Sequence, residues 1–387
     1  MSLPSDPLGL SRDGWRAAAL ALELPRYRGD QIFDALHRQG ARAWDAVAVL
    51  PKALRERFAR GAPIRLPEIA RREESADGSR KYGLRLADGA LVEAVYMPGD
   101  SGHAAVNEFA DARAEGTAAP KAAGKRPPST PAPDRYTVCL SSQTGCAVDC
   151  AFCVTGRLGG GRNLTAGEIL GQLYALEDDV GRGTEGRRVV FMGMGEPFLN
   201  PEGVLPALEI LFETISPRRV TVSTSGVTPG FARFAALEKR PNLAVSLNAA
   251  DEETRTRLMP ITRTHSLADL VTAMRRWPLE SHRRLTAEYV LIAGVNDSEE
   301  DARKLLRLLR GLEVKVNLIP LNEDPTYLPG WKRPAEAAID AFARVLSRGD
   351  MTVTVRRSRG LDASGACGQL KGRTVDPRKS GARPQSN

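Results

Sequence analysis

The chain has 387 residues, with 55 Lys and Arg against 47 Asp and Glu for a formal net charge of +8. That length can bury one large core and one small one, and the basic balance favours a polyanionic partner such as RNA, with evenly distributed surface charge as the alternative. The longest apolar runs are far too short to span a bilayer, so no membrane is expected. The opening Met1-Ser-Leu-Pro-Ser-Asp has no charged region leading into an apolar stretch. No secretory signal is therefore expected, and a cytoplasmic location follows, where thiols stay reduced.

Residues 1–62 carry apolar positions at helical spacing (Trp15, Ala18, Leu20, then Ile32, Phe33, Leu36, then Leu50, Leu54, Phe58), punctuated by Pro25 and Gly40. Arg26, Arg28, Arg38, Arg55 and Arg57 decorate this helical accessory domain, which can approach RNA phosphates or simply present solvated faces. Over 63–98, two alternating segments, Lys81 to Leu86 and Leu91 to Met97, flank Asp88-Gly89 and predict a small β-hairpin extension. Residues 99–134 change abruptly to Ala, Gly, Pro and Lys. Such a composition cannot bury a core, which predicts a disordered basic linker.

From 135 to 370 short β-branched runs (Tyr136 to Leu140, Arg188 to Met192, Arg219 to Ser223, Leu243 to Leu247, Leu285 to Ile292, Lys315 to Pro320) alternate with amphipathic stretches such as Ala166 to Val180 and Asp297 to Leu309. The alternation predicts an α/β fold, a parallel sheet with crossover helices that closes into a partial (β/α)6 barrel. A last strand over Met351 to Arg356 precedes a basic tail, 371–387.

The densest chemistry lies in Thr144-Gly-Cys-Ala-Val-Asp-Cys-Ala-Phe-Cys. Cys146, Cys150 and Cys153 in C-x3-C-x2-C spacing can hold three irons of a [4Fe-4S] cluster and leave the fourth open for S-adenosylmethionine. A structural zinc site that recruits Cys139 is the bland alternative, and a disulfide set suits a reducing compartment poorly. In a barrel-like sheet, reactive groups collect at the carboxyl ends of the strands. Gly193-Met-Gly195-Glu196-Pro, Ser223-Thr-Ser-Gly, Ser246-Leu247-Asn248 and Asn322 all fall there, although a Ser or Asn at a strand end is commonly a helix cap. Glu196 can accept a hydrogen bond from an ammonium group. Cys367, in Gly365-Ala-Cys-Gly-Gln-Leu, sits among small residues that leave its sulfur accessible. The four His (His37, His103, His265, His282) fall outside these motifs, which argues against histidine acid/base work.

Together with Tyr27-Arg-Gly-Asp-Gln-Ile-Phe, Val92-Glu-Ala-Val-Tyr-Met-Pro, Cys139-Leu-Ser-Ser-Gln, Val316-Asn-Leu-Ile-Pro and Ala366-Cys-Gly-Gln-Leu, these runs resemble the RlmN/Cfr family of radical SAM RNA methyltransferases. The resemblance implies a [4Fe-4S] cluster on Cys146, Cys150 and Cys153, and two molecules of S-adenosylmethionine per turnover. It implies a SAM site of Gly195, Glu196, Ser223, Ser246, Leu247, Asn248 and Asn322. It gives Cys367 as the methyl carrier, Glu93 as the proton acceptor, and Cys139 as the thiol that releases product by forming a disulfide bond with Cys367. The implied reaction is methylation of adenine C2 in 23S rRNA, in the peptidyl-transferase region, with tRNA next to the anticodon as a further substrate. An electron donor such as flavodoxin or ferredoxin is implied, and a monomer is expected. Methylation at C8 is the sister reading. A glycyl-radical activase would need no Cys139 and Cys367 pair, and a metal-binding RNA module predicts zinc without SAM cleavage. Family members usually carry His where this chain has Asn248.

Overall fold

The computed structural model describes residues 3–99, 135–181, 186–356, 360 and 364–371. The expected linker and tail lie outside these residues apart from Gly99 and Lys371. Three helices come first: α1 (Arg12–Ala21), α2 (Arg26–His37) and α3 (Lys52–Gly61). Their apolar positions converge, with Trp15 edge-on to Trp44 at 6.0 Å and Trp44 stacked on Phe58 at 4.4 Å between ring centroids. Offset and edge-to-face contacts of this kind add to the burial of large aromatic area.

A single ten-stranded sheet follows, its strands ordered as they occur in the chain. β1 (Glu68–Glu74), β2 (Arg80–Arg85) and β3 (Leu91–Pro98) are antiparallel, so the anticipated hairpin has a third strand in front of it. β1 escaped the sequence reading because its run Glu-Ile-Ala-Arg-Arg-Glu-Glu is mostly exposed and charged, which hides the alternation that betrays a half-buried strand. β4 (Tyr136–Cys139) is antiparallel to β3, with Val95 opposite Cys139. From β4 onward, β5 (Arg187–Phe191), β6 (Val220–Thr224), β7 (Asn242–Ser246), β8 (Leu285–Leu291), β9 (Val314–Pro320) and β10 (Val353–Val355) are parallel. This is the expected partial α/β barrel, extended by β10 and left open between β1 and β10.

The crossovers carry α4 (Val154–Arg157), α5 (Ala166–Val180), α6 (Pro201–Phe212), α7 (Thr228–Ala235), α8 (Glu252–Leu258), α9 (Leu267–Arg276), α10 (Glu299–Leu309) and α11 (Glu336–Arg348). Local chemistry fixes their ends. Thr165 and Glu168 form a reciprocal capping box on α5, and Gly181 closes that helix in the left-handed region at φ +65°. Ser298 and Asp301 cap α10 in the same way.

The N-terminal helices rest directly on the barrel helices. Arg12 reaches Asp34 at 2.8 Å within its own module and Glu213, just past α6, at 3.3 Å. The Asp6 carboxylate accepts the Gly167 N–H at the start of α5 at 2.9 Å. No helix among the described residues is long and apolar enough to cross a membrane.

Candidate active site

The parallel strands end on one cavity. The turn after β5 is laced to the turn after β4: Gly193 N–H donates to the Leu140 carbonyl at 3.0 Å, Ser142 N–H to the Met194 carbonyl at 2.8 Å, and Glu196 N–H to Gln143 Oε1 at 2.8 Å. Gly195 holds φ +97°, and a Cβ there would lie 2.7 Å from the Gln143 backbone nitrogen. Only glycine allows this approach.

Beyond it, the cysteine loop folds over the cavity. Cys146 N–H donates to the Gly159 carbonyl at 3.0 Å, Ala151 N–H to Leu258 at the end of α8 at 2.9 Å, and Cys153 N–H to Cys150 at 3.1 Å. Cys146, Cys150 and Cys153 all line the cavity. Burial raises the pKa of all three thiols, that of Cys146 to about 12, and each is raised further by a neighbouring cysteine.

Glu196 lines the same cavity and is buried. One of its oxygens accepts the Phe198 N–H at 2.9 Å, and the other accepts both the N–H and the hydroxyl of Ser225 at 2.6 Å. Burial pushes its carboxyl up, with the Ser225 bonds opposing. Ser223, Ser246 and Asn322 reach the cavity from the ends of β6, β7 and β9. Asn322 donates from Nδ2 to the Cys367 carbonyl at 3.0 Å, and its buried Oδ1 has no partner among the described residues.

Asn248 also lines the cavity, in the left-handed region at φ +57°, which Asn tolerates better than most residues. Its amide is already engaged, accepting the Val290 N–H at 2.8 Å and donating toward Met259 Sδ at 3.1 Å. Leu247, between Ser246 and Asn248, does not line the cavity and is fully buried in the hydrophobic core.

Cys367 enters the cavity from the C-terminal segment, which runs beside the end of the cysteine loop. That segment is pinned along its length. Val154 N–H donates to the Gly368 carbonyl at 2.8 Å, the Thr155 hydroxyl to Leu370 at 2.7 Å, and Lys371 N–H to the Glu93 carboxylate at 2.7 Å. Cys139 lies behind Cys367, buried, and its thiol is pushed up to about 12 by burial and then by Cys367. Glu93 does not line the cavity. Its carboxylate is held by Arg71 at 2.7 Å and by Lys81 at 3.7 Å.

Two expectations are corrected here. Cys139 and Cys367 are both free, so the anticipated disulfide bond is absent; a buried thiol whose ionisation is so disfavoured is a poor nucleophile until its surroundings change. Among the described residues, no group of three or more His, Cys, Asp or Glu is gathered to hold a metal ion. Cys146, Cys150 and Cys153 line the cavity without forming the expected metal-binding set.

The sequence also missed residues that complete the site. Ser225 anchors Glu196. Glu288 lines the cavity and accepts from Asn317 at 3.2 Å, a signal that was available as a lone acid in an apolar strand. Arg356 follows β10, and its guanidinium lies beside the Cys367 side chain, to which it hydrogen-bonds, and near Glu288. Arg255 reaches the strand ends from α8; nothing in its sequence context marks it.

A family model for the Radical SAM superfamily matches residues 140–306. The chain is 43% identical over 353 residues to a probable dual-specificity RNA methyltransferase RlmN of Koribacter versatilis, covering 90% of this chain and 96% of the relative. It is 41% identical over 384 residues to the dual-specificity RNA methyltransferase RlmN of Geobacter sulfurreducens, covering 98% and 96%. Among solved structures it is similar to a radical SAM methyltransferase from Sphaerobacter thermophilus, with a TM-score of 0.81 and 39% identity over 96% of this chain and 100% of that one.

Proposed function

The chain belongs to the RlmN/Cfr family of radical SAM RNA methyltransferases, and from that premise we propose that it methylates adenine at C2, in 23S rRNA of the peptidyl-transferase region and in tRNA next to the anticodon. The observation that carries the reading is the single cavity that joins the three loop thiols, Glu196 and Cys367.

The donor set fits the implied cofactors. A cube of iron and sulfide takes one ligand per iron, so three thiols that line one cavity can each serve a separate iron. Bound there, a [4Fe-4S] cluster with S-adenosylmethionine supplies a methyl group and a 5'-deoxyadenosyl radical. Cys146, Cys150 and Cys153 would hold the cluster.

Gly195 gives a ligand close access to backbone, and Glu196, with both oxygens engaged by protein donors, can still accept one more bond from an ammonium group. Ser223, Ser246 and the unpaired Oδ1 of Asn322 offer further polar contacts to SAM. Leu247 can contribute only through its backbone. Asn248 shapes the wall, since its amide is committed to Val290 and Met259.

Cys367 is the methyl carrier in this reading, with the Arg356 cation beside its sulfur. Cys139, adjacent to it, is assigned to releasing the RNA from Cys367. Glu93 is assigned to accepting a proton from the RNA adduct, and its carboxylate is bonded to the Lys371 N–H, four residues after Cys367. Nucleoside mass spectrometry of RNA from a purified reaction tests the proposal: 2-methyladenosine is expected. Only 8-methyladenosine would assign the sister reaction, and neither nucleoside would overturn the proposal.

A further inference from the structure

Arg255 on α8 is fully buried, and its guanidinium spans the site from behind. Nε donates to the Leu247 carbonyl at 3.1 Å, Nη1 to the Thr262 hydroxyl at 2.7 Å, and Nη2 to the Ser225 and Ser246 carbonyls at 2.7 and 3.2 Å. One planar fork therefore ties the ends of β6 and β7 together, which suits Arg and not Lys. All four acceptors are uncharged. A buried cation is costly unless an anion or a full set of hydrogen bonds compensates it. Burial lowers its pKa only to about 10, so it stays charged at neutral pH, and Ser225 and Ser246, whose carbonyls it holds, line the same cavity as Cys150.

The contact with the cysteine loop is direct. Ala151 N–H donates to the Leu258 carbonyl at the end of α8, and Cys150 and Phe152 pack against the buried cluster that includes Leu258 and Met259. The helix that carries Arg255 is thus the floor on which the cysteine loop rests.

We propose that Arg255 is a positioning residue that also acts electrostatically. Its fork sets the strand ends that line the cavity, and its charge balances the negative charge that deprotonated loop cysteines bring there. The inference rests on the assignment of those cysteines to a cluster. One-electron reduction adds a negative charge, so a nearby buried cation favours the reduced form and raises the midpoint potential.

Arg255→Met removes charge and fork, Arg255→Lys removes the fork alone, and Thr262→Val removes one acceptor and leaves the charge. Potentiometric titration of the anaerobically reconstituted proteins, followed by electron paramagnetic resonance, should place the Met variant about 59 mV more negative than wild type, the equivalent of a tenfold change in a one-electron equilibrium. The Lys and Val variants should stay near wild type, while both Arg255 variants bind SAM more weakly. Equal shifts in the Met and Lys variants, or a shift in Thr262→Val as large as that in Met, would overturn the charge role. If the Met variant does not retain a cluster, alkylation of Cys150 in the apoproteins, mapped by mass spectrometry, decides the matter. About tenfold slower modification in Met than in Lys is expected, and equal rates would overturn the proposal. Absence of iron from reconstituted wild type would refute the cluster assignment, and the alkylation ratio would still report on Arg255.

Discussion

The backbone N–H of Lys371 donates to the Glu93 carboxylate at 2.7 Å, so the segment that carries Cys367 is fastened to the carboxylate assigned to proton transfer. The same carboxylate is paired with Arg71 and Lys81. Glu93→Gln keeps the shape and can still accept the Lys371 bond, but it cannot take a proton from carbon. Methylation should fall by about 10²–10⁴, the usual loss when a general base is removed, while SAM affinity in equilibrium dialysis stays near wild type. Normal turnover would remove Glu93 from the reaction.

Cys139 and Cys367 should fail differently. Cys367→Ala loses the methyl carrier, so neither methylated adenine nor a protein-RNA adduct forms. Cys139→Ala keeps the carrier and loses the thiol behind it, so RNA should accumulate covalently on the protein. A ribonuclease-sensitive shift on a denaturing gel reports this. Methylation of adenine by Cys367→Ala would end the methyl-cysteine reading.

Cluster loading is the most direct check on the cysteine loop. Anaerobically reconstituted wild type should contain about four iron and four sulfide per chain. Cys146→Ala should lose both the brown chromophore and SAM cleavage. Stoichiometric zinc without iron would point to the metal-binding RNA module instead.

Gly195→Ala forces a Cβ against Gln143 at φ +97°. Strain of this kind costs about 1–3 kcal/mol, and relief requires the turn before Glu196 to move. SAM binding measured by dialysis should weaken at least about tenfold with iron content unchanged. Unaltered affinity would place SAM elsewhere.

His37 gives a pH dependence away from the site. Its ring is buried against Tyr174, and burial, then Arg42 and Arg12, lowers its pKa from 6.5 to about 3. The unfolded chain therefore takes up this proton first. The stability His37 contributes is complete above about pH 6.5 and is lost as pH falls toward 3, by up to about 1.4 kcal/mol per unit. Denaturant titrations at pH 7 and 5.5 should show a steeper loss in wild type than in His37→Gln; equal slopes would mean that the ring is charged in the fold.

Much of this site was legible because its signals are local. The C-x3-C-x2-C spacing and the polar residues that end β-branched runs survive in one dimension, since a strand and the turn after it are contiguous in the chain. The α/β alternation and the helix ends are local for the same reason, as in the Thr165 and Glu168 capping box.

Tertiary structure decided what contiguous sequence cannot encode. The antiparallel pairing of β3 with β4 sets Val95 opposite Cys139 and so brings Glu93 and Cys139 into one neighbourhood, although 99–134 separates them in the chain. Burial decided that Cys139 is a protonated, free thiol and that the amide of Asn248 is spent on Val290 and Met259. Packing of α8 under the cysteine loop made Arg255 part of the site. A guanidinium on a short polar helix reads as solvated surface until long-range contacts enclose it, and those contacts exist only in three dimensions.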